Sequence, residues 1–323
     1  MEKLTICILA YNAEQYVRDT FESLEKQQGQ YRYLIIVDGA TDNTQTLCEE
    51  FALNTKHPIN IKVFEINHGT AFCRQWALEH VVTDYMMFFD SDDIAESGLV
   101  KELLSALQSD ENCIAVSCQA SYIDVDGKKL PGGMYFKMPD TNAFLQRASE
   151  GKLMFMLPAT MFRREYAVKA GGYRQAGFPD GTIRYQDLSE DLDLWSRMSD
   201  FYVDGKYMIT LPKVLYRYRK RTGSLSAAKS TQYAMSLKIK FIKCNLKRRR
   251  AGLNEITFVD FLSNRSSWEI VQDIRHFYSE YFYRKAAFAF ANHEYFKAVL
   301  NLPVSILLNP KYLMQKMHAN ILK

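Results

Sequence analysis

The stretch "YMMFFDSDDIAE", Tyr85 to Glu96, runs an apolar segment straight into three carboxylates, Asp90, Asp92 and Asp93. Tyr85 to Phe89 shows no polar alternation, which suits a strand covered on both faces, as in a parallel sheet packed by helices. The segments before it fit that frame. "LTICILAYN", "YRYLIIVDGATDNT" and "INIKVFEIN" each read as a short buried strand breaking into a polar turn. "EQYVRDTFESLEKQ", with Tyr16, Phe21 and Leu24 on its apolar side, "TQTLCEEFALN" and "GTAFCRQWALEHV" read as the helices between them. Such alternation predicts right-handed βαβ units, an α/β class and ligand binding beyond the carboxyl ends of the strands. Asn12, Asp38, Asn67 and Asp90 stand at four such ends in succession.

Further along, "CIAVSCQASYI" and "KYMITLP" continue the strands through Gly- and Pro-containing loops, and "IAESGLVKELLSAL" reads as a helix. From Thr231 onward strand signals are scarce and Lys, Arg, Tyr and Phe dominate. The expected organisation is a catalytic domain over residues 1–226 and a basic, aromatic-rich helical region over 227–323. The net charge of +4 hides about −10 in Met1–Lys213 and about +14 in Val214–Lys323, counted as Lys and Arg against Asp and Glu. The 323 residues, 47% hydrophobic and 24% charged, suit an ordinary globular core. Six Cys without metal-type spacing suggest reduced thiols and a cytoplasmic setting. "MEKLTICILAYN" leaves no room for a signal peptide, and no apolar run approaches bilayer-spanning length.

Carboxylates crowded at a strand end repel one another unless a cation offsets them. A hard divalent ion, Mg²⁺ or Mn²⁺, binds such oxygens and shares its remaining positions with phosphates. The plainer reading is a solvated loop with Asp residues capping the next helix. In "LSEDLDLWSRM", Glu190, Asp191 and Asp193 open a helix, where acids also complement the dipole. One of them, best Asp191, could serve as a general base toward an acceptor hydroxyl. Arg74 in "NHGTAFCRQWA" stands beside the same rim as a phosphate or base contact, or as an ordinary surface residue. The run "YRYRKRTGSLS", Tyr216 to Ser226, is either a solvated charge run or a segment whose cations meet a leaving diphosphate.

Together these stretches resemble the family 2 glycosyltransferases of the GT-A fold. The likeness is carried, in order, by "TICILAYNAEQYVRDTFESL", "IIVDGATDNT", "NHGTAFCRQWAL", "FFDSDD", "LPATMFRREYAVKAGGY" and "EDLDLWSRM". It implies an inverting, metal-dependent hexosyl transfer from a nucleotide-diphosphate sugar, a UDP-sugar above all, to a saccharide or lipid-linked acceptor in cell-surface polysaccharide or glycolipid assembly. By that resemblance Ala10, Tyr11, Asn12 and Asp38 hold base and ribose, with Arg74, Ser91 and Asp90 completing the donor site. Asp90 and Asp92 form the D-x-D, Asp92 being the direct ligand of Mg²⁺ or Mn²⁺ and Asp93 a helper. Asp191 is the base and Glu190 its neighbour. "LPATMFRRE" and "GGY" form an acceptor-side wall, and Arg217, Arg219, Arg221 and Ser224 a lid. The chain departs from the family at "VDGAT", with one Asp where two are usual, and at Cys73 and Gln75 beside Arg74.

The competing readings are a D-x-D phosphohydrolase and a non-catalytic membrane-binding protein. "KIKFIKCNLKRRR" and "DIRHFYSEYFYRKAAFAFANHEYFKAVLNLPVSILL" suggest peripheral contact with an anionic membrane, on the inner face of the cytoplasmic membrane, ahead of simple packing on the catalytic domain. Pro303 and Pro310 are expected to interrupt the last apolar segment. Nucleic acid is not an expected partner, since no motif for it is present.

Overall fold

The computed structural model describes residues 2–221, 229–291, 294–312 and 314. Its first half builds the parallel layer: β1 (Leu4–Ala10), α1 (Val17–Glu25), β2 (Arg32–Asp38), α2 (Thr44–Asn54), β3 (Ile59–Phe64), α3 (Thr70–His80) and β4 (Tyr85–Asp90). β1 pairs in parallel with both β2 and β4, and β2 with β3, as the alternating pattern requires. β4 alternates across the sheet. Tyr85, Met87 and Phe89 join the core that takes in Phe21, Leu24 and Leu103. Met86 and Phe88 join the opposite core with Ala77, Leu78 and Trp195. Both faces being covered explains the unbroken apolar run.

The second half closes the sheet with antiparallel pieces: β5 (Ile94–Ala95), α4 (Leu99–Gln108), β6 (Cys113–Ile123), β7 (Lys129–Met134), α5 (Thr141–Ser149), β8 (Met161–Arg163), α6 (Arg164–Lys169), α7 (Glu190–Met198), β9 (Tyr207–Arg219) and α8 (Lys229–Arg250). The strand order is β3-β2-β1-β4-β8-β6-β9-β5, with β7 on β6. β8 runs antiparallel to β4 and β6, while β6 and β9 are parallel, giving one mixed sheet.

The chain divides into two compact units, Met1–Glu255 and Ile256–Lys323, so the expected boundary near residue 226 falls short of a helix. α8 belongs to the first unit. Ala234, Leu237, Phe241, Ile242 and Leu246 are buried at helical spacing. Arg249 reaches Asp200 and Glu255, and Arg250 pairs with Asp200 at 3.1 Å. The basic run "KRRR" therefore commits its last two arginines to packing rather than to a membrane. The second unit consists of α9 (Phe258–Ser263), α10 (Ser267–Ala291) and α11 (Tyr295–Leu308). α11 runs through Pro303 instead of ending there, and Pro310 follows it. Among the described residues no helix is long and apolar enough to cross a membrane.

Candidate active site

The carboxyl ends of β1, β2 and β4, the first turn of α3 and the first turn of α7 build one rim. Two non-glycine residues among those described have positive φ, Asn12 at 45° and Ser189 at 52°. Both lie on this rim, where uncommon backbone conformations are held by surrounding contacts. Asn12 Oδ1 accepts from the Thr41 backbone N–H at 2.9 Å and so fixes the β2–α2 turn. Ala10 is buried as the last residue of β1, and Tyr11 beside it is exposed. Ser189 turns the chain into α7, whose first residues are Glu190 and Asp191.

Asp38 at the β2 end is buried and accepts from the N–H groups of His68 and Gly69, both at 2.8 Å. Its carboxylate orders the loop ahead of α3. Asp187 does the complementary work, accepting from the Ala71 N–H at 2.9 Å and pairing with Arg184 at 2.9 Å. Arg184 also donates to Asn67 Oδ1 at 2.7 Å. Gly69, at φ 92°, fits between them: a Cβ there would lie 2.2 Å from Asp187 Oδ2. Neither Arg184 nor Asp187 stands out in the sequence, because the loop they hold, at Asn67 and Ala71, lies more than a hundred residues away.

Arg74 rises from α3 into the interior instead of standing free for a phosphate. Its side chain is 7% exposed, with Nη2 3.5 Å from Asp90 Oδ1 and Nη1 3.5 Å from Glu190 Oε1. The guanidinium lies over the Phe88 ring, 5.2 Å from its centroid. Burial opposes its charge, but Glu190, Tyr173 and Asp90 more than offset that cost and raise its pKa. Burial also pushes Asp90 up to about 6, against the pull of Arg74 and with a further push from Asp92 and Asp191. Glu190 rises to about 7 for the same first reason, again opposed by Arg74 and reinforced by Asp191. Asp191 itself is half-buried and accepts from the Leu192 N–H at 2.7 Å.

The three aspartates after β4 have separate fates. Asp92 keeps a partly accessible carboxylate, faced by Arg221 with Nε 2.5 Å from Oδ2. Ser91 between them is buried. Asp93 is not a metal helper: it is 1% exposed, accepts from the Arg219 N–H at 2.7 Å and takes the Tyr216 hydroxyl hydrogen bond. Burial holds its pKa well above the carboxylate range. Its function is to tie the β4 turn to β9. Two lid candidates move with it, because Arg217 and Arg219 are β9 residues. Arg217 pairs with Glu96 at 2.5 Å. Arg219 is buried, reaching Asp19 Oδ2 at 2.8 Å and the carbonyls of Asp92 at 2.7 Å and Val125 at 2.8 Å. Arg221 alone of the three faces the rim, and Ser224 lies outside the described residues.

Much of the expected acceptor wall is interior. Met161 and Phe162 are fully buried in β8, and Arg163 donates to the carbonyls of Cys113 and Leu107, each at 2.9 Å. Gln75, one of the departures noted above, accepts from the Tyr173 N–H at 2.7 Å and so holds the "GGY" turn. Asp193 is buried between Arg197 at 2.8 Å and Arg174 at 2.9 Å, which keep its pKa low against the cost of burial.

Among the described residues no group of three or more His, Cys, Asp or Glu is placed to hold a metal ion. Asp90 and Asp92 offer two carboxylates at one strand end. Mg²⁺ or Mn²⁺ is commonly held by one or two carboxylates with phosphate oxygens supplying the rest, so the pair fits such an ion bound together with a diphosphate.

The glycosyl transferase family 2 model matches residues 5–171, just over half of the chain, from the first strand through Gly171. The chain belongs to glycosyl transferase family 2. Its relatives include the teichoic acid poly(glycerol phosphate) polymerase of Staphylococcus epidermidis, 33% identical over 48% of this chain and 22% of that protein. Glycosyltransferase GlyA of Streptococcus pneumoniae is 28% identical over 70% of this chain and 32% of its own length. GlyG of the same organism is 23% identical, covering 81% of this chain and 87% of its own. The chain thus spans a third or less of the first two relatives. Among solved structures, Staphylococcus aureus TarS 1–349 in complex with UDP-GlcNAc aligns over 98% of this chain and 92% of its own, at a TM-score of 0.57 and 16% identity. That likeness concerns the fold, which is the expected GT-A α/β architecture with C-terminal helices.

Proposed function

We propose that this family 2 chain transfers a sugar from a nucleotide-diphosphate sugar, a UDP-sugar above all, to an acceptor hydroxyl with inversion, in the assembly of a surface glycopolymer. The observation that carries this reading is Arg74, which joins Asp90 of the D-x-D strand end to Glu190 of the α7 motif. A single buried cation thereby holds the donor side and the base side of one rim in register. The relatives' names, a teichoic acid polymerase among them, and the UDP-GlcNAc complex of TarS support the substrate class.

Asp90 and Asp92 would hold Mg²⁺ or Mn²⁺ against the donor diphosphate, and such an ion supplies charge neutralisation of the leaving group. Asn12 and Asp38 keep the loops around the nucleotide position in place through the bonds described above. Asp191, in the first turn of α7, accepts the proton of the acceptor hydroxyl as its oxygen attacks the anomeric carbon from the face opposite the diphosphate. One displacement of this kind inverts the anomeric centre. Glu190, buried and paired with Arg74, positions Asp191 and stays off the reacting atoms. A phosphohydrolase would need a phosphate-attacking carboxylate instead, and Asp90 is ion-paired while Asp93 is buried.

Peripheral membrane contact at the cytoplasmic face belongs to the same proposal and rests on the second unit. In α11, Phe296, Val299, Leu300 and Leu307 are exposed, with Lys297 among them. Flotation with anionic vesicles tests it: co-flotation supports the contact, and a chain left at the bottom of the gradient removes it.

Asp191→Asn tests the enzymatic reading. With a panel of nucleotide-sugars, donor affinity should stay near wild type while turnover drops about 10²-fold or more. Phosphate release from simple esters, insensitive to this substitution, would sink the transferase reading.

A further inference from the structure

Two arginines from the end of β9 converge on Asp92, and they are held very differently. Arg219 donates to the Asp92 main-chain carbonyl at 2.7 Å, and its side chain is 1% exposed, with further bonds to Asp19 and the Asp124–Val125 backbone. Arg221 meets the Asp92 carboxylate instead. Its Nε lies 2.5 Å from Oδ2, yet that N–H makes no aligned hydrogen bond there. Its guanidinium stands 5.7 Å from the Tyr16 ring centroid, a weak secondary contact. One cation is therefore built into the wall, and the other meets the carboxylate without an aligned Nε–H hydrogen bond.

We propose that Arg221 is the counter-cation of Asp92 and sets how tightly a divalent ion binds there. The inference rests on Asp92 being a metal ligand, as read above. Asp90 and Asp92 are like charges two residues apart at one strand end, so a positive group at Asp92 relieves their repulsion. A divalent ion must displace that group, which weakens its binding in isolation. Once displaced, the guanidinium is free to pair with phosphate oxygens brought to the same place, for which its planar donor set is suited. Arg221 thus disfavours a bare ion and favours an ion that arrives with a diphosphate.

Lys220 supplies the internal control. It carries the same charge one residue away, but its ammonium lies 4.1 Å from the Tyr122 ring centroid and 4.8 Å from that of Tyr218. A loss of general positive field would follow from changing either residue. A loss of the specific counter-cation follows only from changing Arg221.

The test is titration of the full chain with Mn²⁺ alone, free Mn²⁺ being read by electron paramagnetic resonance without any turnover. Arg221→Gln should tighten Mn²⁺ by about tenfold or more, the effect of losing a competing cation at the site. Arg221→Lys, which keeps a cation, should stay near wild type, and Lys220→Gln should change affinity less than about twofold on the same scale. Asp92→Asn separates the two levels of the claim. If it abolishes Mn²⁺ binding while Arg221→Gln leaves the wild-type affinity unchanged or weakens it, the counter-cation is overturned and the metal reading survives. Equal tightening by Lys220→Gln and Arg221→Gln also overturns it, in favour of a general field. Mn²⁺ affinity untouched by Asp92→Asn removes the metal reading and this inference together.

Discussion

Arg74 and Glu190 form an ion pair across the rim, with Nη1 3.5 Å from Oε1 and side chains only 7% and 10% exposed. The same guanidinium reaches Asp90 at 3.5 Å, so one cation lowers the cost of a buried and a partly buried carboxylate. Burial still raises Asp90 to about 6. Its ionised form therefore predominates above that pH and is lost as pH falls through it.

An acid limb near pH 6 in kcat/KM is the first expected outcome, since a protonated Asp90 cannot hold a cation. Arg74→Ala removes the charge that opposes the shift, so the limb should move to higher pH by about 1 unit or more. A limb in the same place for both proteins would show that Arg74 does not govern Asp90.

Asp193→Ala tests the network beneath α7. Its carboxylate lies between Arg197 and Arg174, and removing it leaves buried positive charge uncompensated. The expected loss is about 3–5 kcal/mol, read as a lower urea midpoint at unchanged m-value. A loss below about 1 kcal/mol would mean the arginines find other partners.

Lys238 of α8 gives a pH signature of folding. It is 1% exposed, with its ammonium 3.6 Å from the Phe178 ring centroid, and burial lowers its pKa from 10.5 to about 8. Between those two values the unfolded chain holds the proton and the folded chain does not. Stability from this group therefore rises as pH increases from about 8 to about 10.5, and is missing below. Lys238→Met has no such step. Its stability relative to wild type should fall across that window by up to about 3 kcal/mol in denaturant melts, and a constant difference would contradict the assignment.

The parallel half of the fold was legible because unbroken apolar runs and the polar residues that end them are local signals. Asn12, Asp38, Asn67 and Asp90 all stand at the rim as the strand pattern implied. What sequence could not show was which charges face inward. Asp93 looks like a third ligand until Tyr216 and the Arg219 N–H, over a hundred residues later, claim its oxygens. Arg217 and Arg219 sit in a basic run that reads as solvated or as a lid, yet β-pairing with Ile94 and contacts to Glu96 and Asp19 fix them. The "KRRR" run pointed to a membrane surface for the same reason, its acidic partners Asp200 and Glu255 being invisible to local composition. Long-range pairing of charges, rather than hydrophobic patterning, is where reading along the chain failed.

Calorimetric titration of a UDP-sugar into the wild-type chain and Asp92→Asn, each with Mn²⁺ and with EDTA, probes the D-x-D assignment most directly. Wild type with Mn²⁺ should bind, and both EDTA and the substitution should abolish the heat. Undiminished binding by wild type in EDTA, or by Asp92→Asn in Mn²⁺, would contradict a cation held at the end of β4.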